Sequence, residues 1–261
     1  MSQADIDASE APLMEHLIEL RKRLMYCVGG FVVAFIASFW FSSDILALLI
    51  KPFAWGTGKN VQLISTVLLG IFLVKLKIAF FGGMFIAFPL IATQIYRFVA
   101  PGLYNNERNA FRPYLFATPV FFLLGAALVY FFLLPTAIHF FFALAESTGT
   151  PEQQAIQLMP AVESYLDFVT MLILAFGLCF QLPVILTLLG QIGIVNYEML
   201  SKGRKFAVVG VFVVAAVLTP PDPISQIAMA VPLMGLYEVA VQAVRFIEAR
   251  RKAKEAKDAS A

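Results

Sequence analysis

Long apolar runs, separated by short polar and mostly basic segments, set the pattern of this chain. A bilayer hydrocarbon core of roughly 30 Å takes about 20 helical residues to cross, because lipid offers a backbone N–H or C=O no partner. Residues 24–41 meet that length and predict a first span. On it Gly30, Ala34 and Ser38 recur every fourth position, a small-residue stripe that lets another helix approach closely. A second run, 67–96, is interrupted by Lys75 and Lys77. Its membrane-embedded part is expected to begin near Leu76, with the stretch before it projecting beyond the bilayer or lying in the interface and the lysines snorkelling. Residues 111–134 predict a third span, bracketed by Pro113, Pro119 and Pro135. Residues 165–189 predict a fourth, which Pro183 should kink, freeing a carbonyl near Gln181.

The last two runs, 206–218 and 224–241, are short, and the segment Thr219-Pro220-Pro221-Asp222-Pro223 between them allows only a tight hairpin. A helix over 206–218 reaches only about 20 Å, so either the hairpin borrows length from its ends or the bilayer thins around it. The expected fold class is therefore all-α: a polytopic integral membrane protein with six transmembrane helices, the last two short. Residues 1–23 form an N-terminal segment, 24–243 the transmembrane domain and 244–261 a basic tail.

Basic residues orient the spans. Arg21, Lys22 and Arg23 precede the first; Arg97, Arg108 and Arg112 lie between the second and third; Lys202, Arg204 and Lys205 lie between the fourth and fifth. The tail from Arg245 to Lys257 is also rich in them, whereas the alternate loops carry only Lys51 and Lys59. By the positive-inside rule both termini belong in the cytoplasm.

Composition sharpens this. Hydrophobic residues make up 60% of the chain and mean hydropathy is +0.83, above the roughly 45–50% apolar content of soluble domains. A formal net charge of +2 gives no reason to expect nucleic-acid binding. Cys27 and Cys179 sit inside apolar runs without paired spacing, so packing rather than a disulfide or metal site is expected. The N-terminal residues 1–13 are acidic and polar with no cationic start, unlike a cleavable signal peptide.

Covalent chemistry finds no foothold. His16 and His139 are isolated, and HExxH, GxSxG and Cys–His arrangements are missing from the sequence. Gly56-Thr57-Gly58-Lys59-Asn60 only faintly echoes a phosphate loop, without its leading glycine or the Ser/Thr after Lys. No enzyme activity, metal or cofactor is expected.

The carboxylates in the cytoplasmic segments carry more information. Glu15 and Glu19 share one face of a helix continuous with the first span, and Glu107 stands between the second and third. Glu19 can pair with Arg23 along the helix, and Glu107 with Arg108 or Arg112. Alternatively they face outward and await a cationic partner, for which carboxylates suit the guanidinium fork best. Within the bilayer Gln181 is the deepest polar residue, with Asp167 and Glu238 nearer span ends and Gln226 and Gln242 on the last span. An intramembrane amide serves either its own fold or a partner helix.

These same residues carry a family resemblance. His16-Leu17-Ile18-Glu19-Leu20-Arg21-Lys22-Arg23 resembles the N-terminal signature of the TatC family of twin-arginine translocase subunits. Phe98-x-x-Pro101-Gly102-Leu103-Tyr104-x-x-Glu107-Arg108 resembles that family's first cytoplasmic loop. Phe176-Gly177-x-x-Phe180-x-Leu182-Pro183 resembles its fourth span, and Leu218-Thr219-Pro220-Pro221-Asp222-x-x-Ser225-Gln226 its final hairpin. The matches fall in order and span nearly the whole chain.

The resemblance implies a receptor and core subunit of a bacterial inner-membrane translocase that exports folded proteins, driven by the proton-motive force. It implies that Glu19 and Glu107 contact the arginine pair of a signal peptide, with Arg21, Phe98, Pro101, Leu103, Tyr104 and Arg108 shaping the surface around it. Gln181, Thr219, Asp222 and Gln226 are the implied intramembrane polar or partner-helix positions. Implied partners are the TatB and TatA-type single-span subunits, signal peptides of folded cargo, the lipid bilayer and further copies of this chain, with no nucleic acid. Two departures stand out. Gln181 occupies a position where many members carry an acid, which removes a proton-relay role but leaves hydrogen bonding. Residues 66–72 are also more apolar than the polar stretch expected there. A small-solute secondary transporter is the competing class; it calls for a repeat and charged midplane groups that this sequence lacks.

Overall fold

The computed structural model describes residues 3–57, 63–65, 67–99, 112–147, 160–218 and 223–258, and every regular element among them is helical. The elements are α1 (Gln3–Trp40), α2 (Ser42–Thr57), α3 (Gly70–Val99), α4 (Arg112–Leu128), a π-helical turn (Val129–Leu133), α5 (Leu134–Ser147), α6 (Val162–Cys179), α7 (Leu182–Gln191), α8 (Tyr197–Leu218) and α9 (Pro223–Asp258). Five stretches are long and apolar enough to cross a membrane: Leu17–Trp40, Gly70–Phe98, Pro113–Leu144, Val162–Gln191 and Gln226–Ala253. Val33, Ile36, Phe116, Phe131 and Val217 all stand more than half exposed, a surface suited to hydrocarbon and not to water.

The fifth expected span, residues 206–218, lies within α8. That helix has 22 residues and rises about 33 Å, but Glu198, Lys202, Arg204 and Lys205 occupy its first turns. What is short in the last pair is the apolar part, not the helices, since α9 runs for 36 residues.

The chain packs as two units, residues 1–45 with 75–119 and residues 46–74 with 120–261. In the first, α1 and α3 approach closely through the expected small residues. A Cβ on Gly83 would fall 2.8 Å from the Phe35 backbone, and one on Gly82 would fall 3.0 Å from the Ser38 hydroxyl. Ala34 and Ser38 are accordingly buried. In the second unit α4 crosses α6 with similar closeness, where a Cβ on Gly177 would meet the Phe122 ring at 2.5 Å.

Prolines decide where these helices deviate. Pro135, expected to close the third span, does not end it: the chain continues helically to Ser147. The π turn immediately before it explains why. Leu134 donates its N–H to the Val129 carbonyl, five residues back, and this wider register accommodates a residue that has no N–H and whose ring crowds the carbonyl four back. Pro183 does break the fourth span, which stops at Cys179 and restarts at Leu182. The Gln181 carbonyl accepts the Ile185 N–H at 2.8 Å, so the acceptor that loses its donor is the one four residues before the proline.

Between the first two spans lies a helix the apolar pattern did not reveal, α2, with Pro52 buried inside it. Proline there withholds a donor from the Leu48 carbonyl and distorts the turn that includes Leu49. Two tyrosines supply what is missing: the Tyr130 hydroxyl donates to the Leu48 carbonyl at 2.8 Å and the Tyr165 hydroxyl to the Leu49 carbonyl at 2.7 Å. Phe53 packs edge-on against Tyr165, and Trp55 against Tyr130. Farther along, Ile64 bonds to both Pro160 and Val162 through its backbone, and the Ser65 hydroxyl donates to Glu163 at 2.6 Å.

Tyr165→Phe should therefore destabilise the protein by about 1 kcal/mol, the net contribution of one hydrogen bond to a part-buried carbonyl. The measurement is the midpoint of thermal unfolding in detergent. An unchanged midpoint would show that water reaches the Leu49 carbonyl instead.

Candidate functional site

On α1, Ile18, Glu19, Lys22, Arg23, Tyr26 and Gly30 follow the three- and four-residue spacing that places side chains on one helical face. On α3, Leu90, Gln94 and Arg97 do the same. These two faces line one open cavity of about 890 Å³, together with Met25 and Gly29. Its shape follows from side-chain size. Around Ser38 and Gly82 small residues let the two helices approach closely, whereas the cavity is lined toward Glu19 and Arg97 by long side chains. Charged and amide groups gather at that end, and Met25, Tyr26, Gly29, Gly30 and Leu90 form the apolar remainder.

The anticipated pairing of Glu19 with Arg23 is present. The Arg23 Nε donates to Glu19 Oε1 at 3.0 Å and its Nη2 to the same oxygen. Nη1 makes a longer 3.5 Å contact with Oε1 of Gln94 on α3. Glu19 keeps 34% of its side-chain surface exposed and Arg23 20%, so the pair is reachable from outside. Lys22 and Arg97 line the same cavity, and among the described residues neither meets a carboxylate. Three cations against one carboxylate leave the described groove with an excess of positive charge.

Other sequence-derived positions are distributed elsewhere. Arg21 is exposed on α1 and Phe98 half-buried at the end of α3. Pro101, Leu103, Tyr104, Glu107 and Arg108, as well as Thr219 and Asp222, lie outside the described residues. Gln181 belongs to the second unit, buried at the break between α6 and α7, where its N–H donates to the Leu178 carbonyl at 2.9 Å. Gln226, in the same unit, donates from Nε2 to the Phe212 carbonyl across the α8–α9 hairpin at 3.2 Å.

Two arrangements escaped the sequence reading. Gln94 shares the groove, and its place four residues from Leu90 and three from Arg97 was the available signal. The other is a forked pair, Arg204 Nε to Glu238 Oε2 at 3.0 Å and Nη2 to Oε1 at 2.8 Å, with Gln242 donating to the same carboxylate at 2.7 Å. Each half looked like an ordinary charge near a span end. Among the described residues no three His, Cys, Asp or Glu side chains group as a metal site would require.

An all-helical protein with several membrane-spanning helices and an open polar groove at the end of one helix pair is a multi-pass membrane protein. This chain belongs to the TatC family: the family model described as Sec-independent protein translocase protein (TatC) matches residues 15–232. A curated relative from Magnetococcus marinus, Sec-independent protein translocase protein TatC, is 43% identical over 95% of this chain and 89% of its own length. The protein of that name from Escherichia coli strain K12 is 37% identical over 90% of this chain and 88% of its own. A crystal structure described as the twin arginine translocase receptor TatC superposes with a TM-score of 0.74 at 33% identity, covering 89% of this chain and 99% of that one. A second, in DDM, gives 0.75 at 34%, covering 87% and 97%.

The half-exposed Glu19–Arg23 pair should contribute little to folding. Glu19→Gln is expected to change unfolding stability by less than about 1 kcal/mol, as for exposed ion pairs between neighbouring helical turns. Thermal unfolding in detergent checks this, and a larger loss would assign Glu19 a structural role.

Proposed function

We propose that this chain is the signal-peptide receptor and core subunit of a twin-arginine protein translocase of the bacterial inner membrane, exporting folded proteins at the expense of the proton-motive force. The observation that carries this reading is Glu19: a carboxylate at the mouth of an open groove, held by an ion pair within its own helix. Such pairs stabilise a helix by only about 0.3–0.5 kcal/mol. An incoming guanidinium can replace Arg23 with little loss and gain a bidentate contact. Glu107 is the second carboxylate of the proposed pair, with Arg21, Phe98, Pro101, Leu103, Tyr104 and Arg108 around it.

Both termini would face the cytoplasm, where the cargo's signal peptide arrives. TatB and TatA-type single-span subunits would dock along α8 and α9 near Gln181, Thr219, Asp222 and Gln226, and further copies of the chain would complete the assembly. An amide at position 181 can share hydrogen bonds with a partner helix but cannot relay a proton. Family membership lends no support to a small-solute transporter.

Photo-crosslinking in membranes tests the assignment. Glu19→Ala and Glu107→Ala should each abolish crosslinking to a twin-arginine signal peptide while insertion of the chain is unchanged. Undiminished crosslinking and export in both variants would remove these carboxylates from the receptor site. A probe at position 181 should in turn capture a single-span subunit.

A further inference from the structure

We propose that the groove between α1 and α3 binds one anionic phospholipid, its phosphate held between Lys22 and Arg97 and one acyl chain lying over Gly29 and against Leu90. The groove is polar at one end and apolar at the other, as an amphiphile is. Its charge is unbalanced: Arg23 is neutralised by Glu19, whereas Lys22 and Arg97 have no carboxylate among the described residues. Basic pockets between membrane helices are a recurring way of holding anionic headgroups. A cavity of about 890 Å³ is within the range of sites that enclose a small organic molecule, about 300–1,000 Å³. Gly29 has no neighbouring atom within 4 Å of where a Cβ would stand, so the apolar part of the groove is open there. Free phosphate would satisfy only the two cations; a phospholipid satisfies the cations and the apolar floor together.

One consequence rests on the receptor reading given above. Lys22 and Arg97, which meet no carboxylate among the described residues, repel a peptide bearing two arginines. A phosphodiester at Lys22 and Arg97, with its single negative charge, halves that excess without occupying Glu19. The lipid would thus act as a counter-ion that makes the carboxylate accessible to guanidinium.

Native mass spectrometry of the full chain, released from nanodiscs of equal parts dioleoyl-phosphatidylglycerol and dioleoyl-phosphatidylcholine, tests the site. The protein should retain phosphatidylglycerol in preference to phosphatidylcholine. Lys22→Gln with Arg97→Gln should lower that preference about thirty-fold, given the contribution of each cation near an anionic surface. Lys22→Arg with Arg97→Lys should keep it, which separates charge from folding. Gly29→Leu should lower it with both cations in place by filling the apolar groove. Arg250→Gln with Lys252→Gln, on the exposed end of α9, should leave it unchanged. The proposal is overturned if the groove double variant retains phosphatidylglycerol as the unaltered chain does, or if the α9 variant loses it equally. No signal peptide is present in this measurement, so its failure leaves the receptor assignment standing, and loss of that assignment leaves the lipid site standing.

Discussion

A backbone carbonyl without a donor costs several kcal/mol in hydrocarbon, because no water can take the donor's place. This chain nevertheless puts prolines at positions 52, 89, 119 and 232 inside helices, and at 135 and 183 within continuous or broken spans. The ways in which it accommodates them shape the molecule. Tyrosine hydroxyls from two other helices serve the carbonyls around Pro52. A π turn accommodates Pro135, and a two-residue break accommodates Pro183. Thr93 and Thr187 fold their hydroxyls back onto the carbonyls of Pro89 and Pro183 themselves, at 2.7 and 2.6 Å. Each device fixes the direction of the segment that follows it, so the local repairs also determine which side chains can meet.

Charge obeys the same economy of partners. Arg204 and Glu238 meet as a fork where the apolar parts of α8 and α9 begin and end, and Glu248 accepts the Tyr197 N–H at 2.8 Å where α8 starts. Asn196 caps the same terminus by accepting from the Met199 N–H at 2.7 Å. The groove beside α1 differs because its cations outnumber its carboxylate. What sets the groove apart is that Lys22 and Arg97 line one cavity with an apolar floor, the arrangement from which the lipid site is proposed.

The spans were legible because lipid imposes a length and a polarity that a single sequence displays directly. The stripe Gly30, Ala34 and Ser38 was legible for the same reason, since close helix contact needs small side chains on one face. What stayed hidden depended on residues far apart in sequence. Pro52 reads as a helix breaker until Tyr130 and Tyr165 are brought to its carbonyls. Pro135 reads as a terminus because a π turn leaves no compositional trace. At the site, Glu19 and Arg23 were visible through their spacing on one helix, but Gln94 and Arg97 join them only when α3 is laid alongside, and the spacing of 90, 94 and 97 does not itself say which helix they face.

The α8–α9 hairpin is joined at four levels: Gln226 to the Phe212 carbonyl, Arg204 to Glu238, Tyr237 to the Leu200 carbonyl and Glu248 to the Tyr197 N–H. All four belong to a single antiparallel register. Sliding one helix past the other by a turn, about 5.4 Å, would break every level at once. Tilting the two together would break none. Mechanically the pair is thus locked against sliding and left free to tilt as one body.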